Sequence, residues 1–285
     1  MSNALTVLPM SQEIKLNPGE RIEGTITIAN PASSTEDFEY VATVSPYSVV
    51  GDDYEADFSN KSDANQIVDW IRIYEPEGTL KPNESKELKF RIKVPKDAPA
   101  GGQYAVISIR SKASVQEGEM SFGINDVFEI GSIIYGKVAG ATVRKGEILG
   151  NNVPGFSTVT PVTSSITVKN EGNIHEKAVT TITIKNVFSG EQVFPKDDET
   201  NRFSEYIMPN STRYLTRTLD RLSNLGVYEV QQTVEYLGET SSISQVLIVC
   251  PIWFLCLVIA TLVALVATIV TMVKKHIRKS KREVL

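Results

Sequence analysis

Residues 246–273 contain no charged side chain, and Lys274-Lys275-His276-Ile277-Arg278-Lys279-Ser280-Lys281-Arg282 follows at once. As a helix rising about 1.5 Å per residue, such a run exceeds the ~30 Å hydrocarbon core of a bilayer. Lipid offers no partner to backbone N–H and C=O groups, so a segment that crosses it must close its hydrogen bonds within itself, as a helix. Core helices of soluble proteins rarely run this long without a charge. The sequence therefore predicts a transmembrane helix over residues 246–273 and a basic cytoplasmic tail over 274–285. The positive-inside bias sets that orientation, with Lys274, Lys275, Arg278, Lys279, Lys281 and Arg282 flanking the membrane. Everything before Val246 is then extracellular, on a single-pass protein of the cell membrane.

The charge balance divides the same way. The tail carries six Lys/Arg against Glu283, a net of +5, so with −5 for the whole chain the part before the span carries −10. An acidic outer portion speaks against nucleic acid, which selects a basic stripe. Both cysteines, Cys250 and Cys256, lie in or beside the apolar run. The outer portion thus has neither a disulfide framework nor a thiolate metal site, and its stability has to come from apolar cores, with room for two domains.

An exported N-terminus calls for a signal peptide with a basic start and an apolar stretch. Here the first basic residue is Lys15, and Leu5-Thr6-Val7-Leu8 is cut short by Pro9. A leader has been removed, or Met1-Ser2-Asn3-Ala4 is extraneous, or the protein is tail-anchored with its N-terminus inside. The first is favoured, because tail anchoring would carry the basic tail across the membrane against the charge bias.

Before the span, period 2 dominates. Leu88, Phe90, Ile92 and Val94 point one way and Glu87, Lys89, Arg91 and Lys93 the other, a strand with one wet face. Phe38, Tyr40, Ala42 and Val44 repeat it, as do Ile166 and Val168, Ile182 and Ile184, and, more loosely, Tyr228, Val230, Val234 and Tyr236. Turn residues punctuate these runs and no long amphipathic helix intervenes, which predicts β-sandwiches. The chain also echoes itself. Leu16-Asn17-Pro18-Gly19-Glu20, Leu80-Lys81-Pro82-Asn83-Glu84 and Ile207-Met208-Pro209-Asn210-Ser211 each open a strand. Gly102-Gln103-Tyr104-Ala105-Val106 is matched by Gly226-Val227-Tyr228-Glu229-Val230. A tyrosine two residues before the core position of a late strand is where immunoglobulin-like sandwiches carry a corner tyrosine, whose hydroxyl ties back to the preceding loop. Tyr104 and Tyr228 are read as those corners, with Val106 and Val230 at the core positions. The fold expected is all-β: an immunoglobulin-like sandwich over residues 5–145, a second over 146–243, then the membrane helix.

The opening module, with its Leu16-Asn17-Pro18-Gly19-Glu20 turn, Trp70-Ile71 and Pro99-Ala100-Gly101-Gly102-Gln103-Tyr104, resembles the N-terminal module of bacterial WxL-interacting cell-surface proteins. The second half, with Val168-Lys169-Asn170-Glu171-Gly172-Asn173-Ile174-His175, Pro209-Asn210-Ser211-Thr212-Arg213 and Gly226-Val227-Tyr228, looks like the second immunoglobulin-like domain of related anchored proteins. The resemblance implies peptidoglycan binding by the first module. Its motifs are turn and core residues, which specify a fold better than a ligand. Two-domain periplasmic pilus chaperones and intracellular major-sperm-protein modules share a similar first sandwich and stay open as alternatives.

Catalytic patterns are not apparent. Of two histidines, His276 is in the tail and His175 follows the Asn170-Glu171-Gly172-Asn173 turn, where exposure is the ordinary expectation. No Gly-x-Ser-x-Gly, phosphate-cradling glycine loop or His-Glu-x-x-His pair accompanies it, so neither an enzyme nor a cofactor is expected. Asp53, Glu55 and Asp57 have the spacing that opens a calcium loop. Phe58 and Ala64 stand where the sharp-turn glycine and the bidentate glutamate belong, which leaves a solvated loop. In Val68-Asp69-Trp70-Ile71-Arg72-Ile73-Tyr74, inward isoleucines would leave Trp70, Arg72 and Tyr74 as an outer binding stripe for sugar rings or a protein. The opposite parity makes Trp70 core, and the period alone does not arbitrate. Ala260, Ala264 and Ala267 could form a helix-association face. The function expected is non-enzymatic binding of cell-wall polymer or another surface protein by a membrane-anchored bacterial protein. The alternative is an intracellular, tail-anchored scaffold that recruits soluble partners.

Overall fold

Alternating burial builds the first half of the molecule. The computed structural model describes residues 5–51, 53–59, 61–112, 129–196 and 199–283, the side chains of 129 and 275–283 excepted. Residues 1–4 and Asp52 thus lie outside the described residues. The first strands are β1 (Thr6–Leu8), β2 (Ser11–Leu16), β3 (Arg21–Ala29), β4 (Phe38–Pro46), β5 (Ser48–Val50) and β6 (Glu55–Asp57). A 3-10 turn (Asp63–Asn65) and a single helical turn, α1 (Ile67–Trp70), lead into β7 (Ile71–Ile73) and β8 (Glu77–Leu80). Three long strands close this half: β9 (Ser85–Lys93), β10 (Gly101–Ser111) and β11 (Glu129–Val138).

Apart from the separate pair β5-β6, these strands form one sheet in the order β1-β3-β9-β7 and another in the order β2-β11-β10-β4-β8. Ile26, Ile28, Leu88, Phe90 and Ile92 of the first meet Tyr40, Ala105, Ile107, Ile109 and Ile134 of the second in a single core. Each such side chain, fully buried, contributes roughly 1.5–3 kcal/mol. The N-terminal strand serves both sheets: β1 runs antiparallel to β3, and β2, after Pro9, runs parallel to β11. The repeated proline motifs are one turn used more than once. The Asn17 carbonyl accepts the Glu20 N–H at 3.0 Å, and the Lys81 carbonyl accepts the Glu84 N–H at 3.0 Å. Proline fixes φ at the first central position, and Gly19 (φ 85°), Asn83 (φ 63°) and Asn210 (φ 51°) take the left-handed second one.

The second half contributes β12 (Gly146–Asn152), β13 (Phe156–Ser157), β14 (Val162–Asn170), β15 (Glu176–Asn186) and β16 (Gln192–Phe194). It continues with β17 (Arg202–Ile207), β18 (Ser211–Leu219), β19 (Gly226–Tyr236) and β20 (Glu239–Val249). Strands β12-β14-β18 form one sheet, and β13-β20-β19-β15-β16, with β17 also on β15, form the other. Val162 and Leu219 from the first pack with Ile182, Ile184, Val230, Leu247 and Val249 from the second, so this too is a sandwich. Between Val230 and Val234 the inward position is Gln232, fully buried, whose amide accepts from Ser164 Oγ at 2.6 Å and donates to Asn151 at 2.8 Å. The chain divides into two compact units: Met1–Glu147 with Val168–Ala178 and Glu205–Tyr214, and Ile148–Thr167 with Val179–Ser204 and Leu215–Leu285.

The uncharged run is not one element. Residues 246–249 finish β20, with Leu247 and Val249 buried and Val246 and Ile248 outside, and the helix α2 is Ile252–Glu283. Apolar composition suits an outer strand and a helix equally, but these four residues alternate in burial because β20 pairs β19 to its end. Pro251 marks the change, its carbonyl accepting the N–H groups of Phe254 and Leu255 at 3.0 and 3.1 Å. Among the described residues one segment, Ile252–Lys274, is long and apolar enough to cross a membrane. At ~1.5 Å per residue its 23 residues still match a bilayer core.

Both Gly-x-Tyr motifs have a steric cause: the tyrosine side chain lies back over the glycine two residues earlier on the same face. A Cβ on Gly226 would stand 2.6 Å from the Tyr228 hydroxyl oxygen. Gly226→Ala is expected to lower stability by about 1–3 kcal/mol through overpacking, read as a lower thermal unfolding temperature. An unchanged temperature would contradict this packing.

Candidate binding site

The three residues expected to share a stripe do not. Trp70 is the last residue of α1, not the first of β7, so strand alternation does not govern it. The helical segment is pinned to its neighbours by polar side chains. Asn65 donates to the carbonyls of Tyr47 and Tyr104 at 2.8 and 3.0 Å. Gln103 accepts the Ile67 N–H at 3.1 Å and donates to the Asp63 carbonyl at 2.7 Å. Trp70 therefore turns into the first core, only 9% exposed, and Ile71 beside it is buried as well. Arg72 and Tyr74 remain outside.

Those two lie on the outer face of β3-β9-β7. Strand register sets Glu23, Arg91 and Arg72 in one row across the three strands, and Arg21 opposite Lys93 in another. The Tyr74 N–H donates to the Lys89 carbonyl at 3.0 Å, and its hydroxyl donates to Glu23 at 2.8 Å. The Arg91 guanidinium carbon stands 5.9 Å from the Tyr74 ring centroid. The result is a shallow dish of about 590 Å³ lined by Glu23, Gly24, Thr25, Tyr74 and Lys89. The bond to Glu23 also holds the Tyr74 phenol above its usual pKa. A planar ring, a fixed carboxylate and several free cations on one open face can meet an extended ligand rather than enclose a small one.

A second cluster was not legible as a site. On β10, Ala105, Ile107 and Ile109 enter the sandwich core, while the alternate residues Tyr104, Val106 and Ser108 are buried on the opposite face. There Tyr104 packs with Tyr47, Tyr135 and Met208. His175, expected at the surface, is fully buried among them, with ring centroids 5.5 Å from Tyr104, 5.1 Å from Tyr135 and 4.9 Å from Tyr206. The Tyr104 hydroxyl accepts the His175 N–H at 2.8 Å and meets its Nδ1 at 3.1 Å. It does not tie back to its own preceding loop, and Val106 is not at the sandwich core. Tyr228 differs: it belongs to the second core, and its hydroxyl accepts the Ser223 N–H at 2.9 Å. The two motifs share their local packing over glycine but face opposite ways relative to the core, which five residues of sequence do not reveal.

Electrostatics explain what this cluster does. Glu13 accepts from Tyr206 at 2.7 Å and pairs with Lys137 at 2.8 Å. Burial raises its carboxyl, but the bonds from Lys137 and Tyr206 and the Lys137 charge outweigh that and bring it down to about 2. Burial pushes the Tyr104 and Tyr135 phenols well up. Burial, with Lys137 adding to it, lowers His175 to about 4. At neutral pH the cluster is thus a buried, unprotonated imidazole among protonated phenols, with Glu13 and Tyr206 at its margin partly exposed. It packs as a hydrogen-bonded core around His175.

Glu55 and Asp57 lie on β6, and Asp57 accepts from the Ser59 N–H and hydroxyl, so the acidic stretch is a strand and its turn. Cys250 and Cys256 are free thiols. Lys274 is exposed at the end of the apolar stretch; the side chains of Lys275, Arg278, Lys279, Lys281 and Arg282 lie outside the described residues.

No protein-family model matches the chain, and no curated protein matches it. Solved structures do. The E. coli chaperone DraB is 14% identical over 85% of this chain and 97% of that one, with a TM-score of 0.38. A structure of Salmonella enterica SafA pilin in complex with the SafB chaperone gives 13%, 86% and 97%, with a TM-score of 0.38. A protein of unknown function from Porphyromonas gingivalis W83 gives 13%, 86% and 99%, with a TM-score of 0.30. At these identities and TM-scores the matches assign the chain to no family, and the resemblance to WxL-interacting proteins has no counterpart among the family models.

The buried histidine predicts a pH dependence of stability. Because the folded pKa is depressed, unfolding takes up a proton as pH falls below 6.5, and stability is lost progressively from there to about 4. The loss should approach about 3 kcal/mol. Glu13 acts in a lower window, from 4.5 down to about 2. His175→Gln should flatten denaturant midpoints between pH 6.5 and 4 relative to wild type; parallel curves would show that His175 does not titrate as a buried group.

Proposed function

We propose that the protein is a non-enzymatic, single-pass membrane protein of a bacterial surface that displays its two sandwiches outside the membrane and binds a cell-wall polymer or another surface protein. The observation that carries this reading is the apolar helix Ile252–Lys274, whose side chains are open to the surroundings along its length, with only Phe254 half-buried. A water-exposed apolar surface of that extent is untenable for a soluble monomer, whereas a bilayer covers it. Lys274 and the basic residues after it favour a cytoplasmic C-terminus, and hence sandwiches outside.

Binding rather than catalysis is supported by the kind of surface on offer. His175 itself is buried, and the exposed cations lie on an open sheet face. The resemblance to WxL-interacting surface proteins points the same way, toward the wall.

Protease added to intact cells of a wall-permeable strain should remove the sandwiches and leave a membrane-protected fragment that carries the C-terminal tail. Full protection until lysis would reject the surface topology in favour of the intracellular tail-anchored scaffold. Full-length protein in neutral detergent should also sediment with insoluble cell wall. A protein that stays in the supernatant with every wall preparation leaves a protein partner as the ligand.

A further inference from the structure

From the outer face of β3, β9 and β7 we infer a binding site for a linear, phosphodiester-linked polyanion. The inference rests on the reading of the protein as a polymer-binding surface protein and names the ligand class. Five cations stand on this face: Arg21 on β3, Lys89, Arg91 and Lys93 on β9, and Arg72 on β7. Two carboxylates accompany them. Glu23 is held by the Tyr74 hydroxyl, and Glu87 lies toward one end, opposite Thr27. The face is thus cationic on a chain that is acidic outside its tail.

Elsewhere on this sandwich three cations are neutralised locally: Lys86 by Glu75 at 2.6 Å, Lys112 by Glu77 at 2.8 Å, Lys137 by Glu13 at 2.8 Å. Among the described residues, none of the five cations on the outer face is in an ion pair. Register even sets like charges directly opposite one another, Arg21 against Lys93 and Arg91 against Arg72. Such cross-strand pairs destabilise a sheet, and an anion bound between them removes the repulsion.

The spacing suits a repeating anion. Lys93, Arg91 and Lys89 occupy alternate positions of one strand, so successive charges are about 6.6 Å apart along its axis. The rows to either side lie about 4.8 Å away. An extended chain with one charge per short repeat meets a cation at each step, and guanidinium forks can take two oxygens of one phosphate. The open dish beside Tyr74 leaves room for an uncharged linker between charges.

The test uses full-length protein in phosphatidylcholine nanodiscs and soluble poly(glycerol phosphate). Binding is expected at about 50 mM salt and should weaken steeply as salt rises, as counterion release requires. The double variant Arg72→Gln/Lys93→Gln removes one partner of each like-charge pair. It should bind on the order of ten-fold more weakly with a shallower salt slope, while its unfolding temperature without polymer stays level or rises. Polymer added to wild type should raise that temperature. Equal binding by wild type and variant overturns the site. Binding to phosphatidylglycerol vesicles without binding to the polymer overturns the ligand and makes this a lipid-facing surface. Sedimentation of wild type with wall but no affinity for the polymer overturns the polyanion and leaves the wall reading standing. Failure to bind either one removes both.

Discussion

Strand β10 carries two cores at once. From Gly101 to Ile109 every residue is buried, so both faces of the strand must be filled by apolar or hydrogen-bonded groups. Ala105, Ile107 and Ile109 fill the sandwich, and Tyr104 organises the other side with Tyr47, Tyr135 and His175. A strand buried on one face tolerates any polar residue at alternate positions, whereas one buried on both has to find a partner for each polar atom it contains. Gln103 meets that demand by gripping the helical segment, and Tyr104 by taking the His175 N–H. The position of Trp70, and with it the edge strand β7 and its exposed pair Arg72 and Tyr74, follows from where Gln103 and Asn65 hold that segment.

The two polar regions follow opposite electrostatic rules. Around His175, desolvation dominates: the imidazole is kept neutral and the phenols are kept protonated, with Glu13 charged because Lys137 and Tyr206 hold it. Removing a partner there costs the desolvation of what remains. On the outer face of β9, water screens the charges of Arg91 and Arg72, and Glu23 stands in the same row as both.

How much of this was readable beforehand depends on the range of the physics involved. The burial of Leu88, Phe90 and Ile92 was written in their alternation, and the proline turns in residues that admit few other conformations. Gln232 went unread in the sequence, although it falls at the inward position between Val230 and Val234 that its partners in the core now explain. What escaped was decided by contacts distant in sequence. His175 follows a polar turn and looked exposed, but Tyr104, Tyr135 and Tyr206 close over it from far along the chain. Trp70 looked like a strand residue because its neighbours alternate, and only the bonds from Gln103 and Asn65 make a helical turn there. The cations of the outer face were visible strand by strand, but their alignment required the register of β3, β9 and β7. The uncharged run hid a boundary for a different reason: Val-Leu-Ile-Val serves a strand as well as a helix.

That boundary has a mechanical meaning. Only Cys250 and Pro251 separate the end of β20 from α2, a tether of about 7 Å when extended. The last residues of β20 are gripped on both sides: Ile248 and Val249 pair with Val227 and Gly226 of β19 and with Phe156 and Ser157 of β13, and the Cys250 N–H reaches the Ser157 carbonyl at 2.9 Å. With α2 in a bilayer, the protein has no slack stalk. If the protein holds a ligand and α2 spans a bilayer as proposed, the connection between them runs through a strand clamped between two neighbours. Under the proposed topology, a load along the axis of β20 would act on its pairs with β19 and β13 in shear rather than peel them one bond after another.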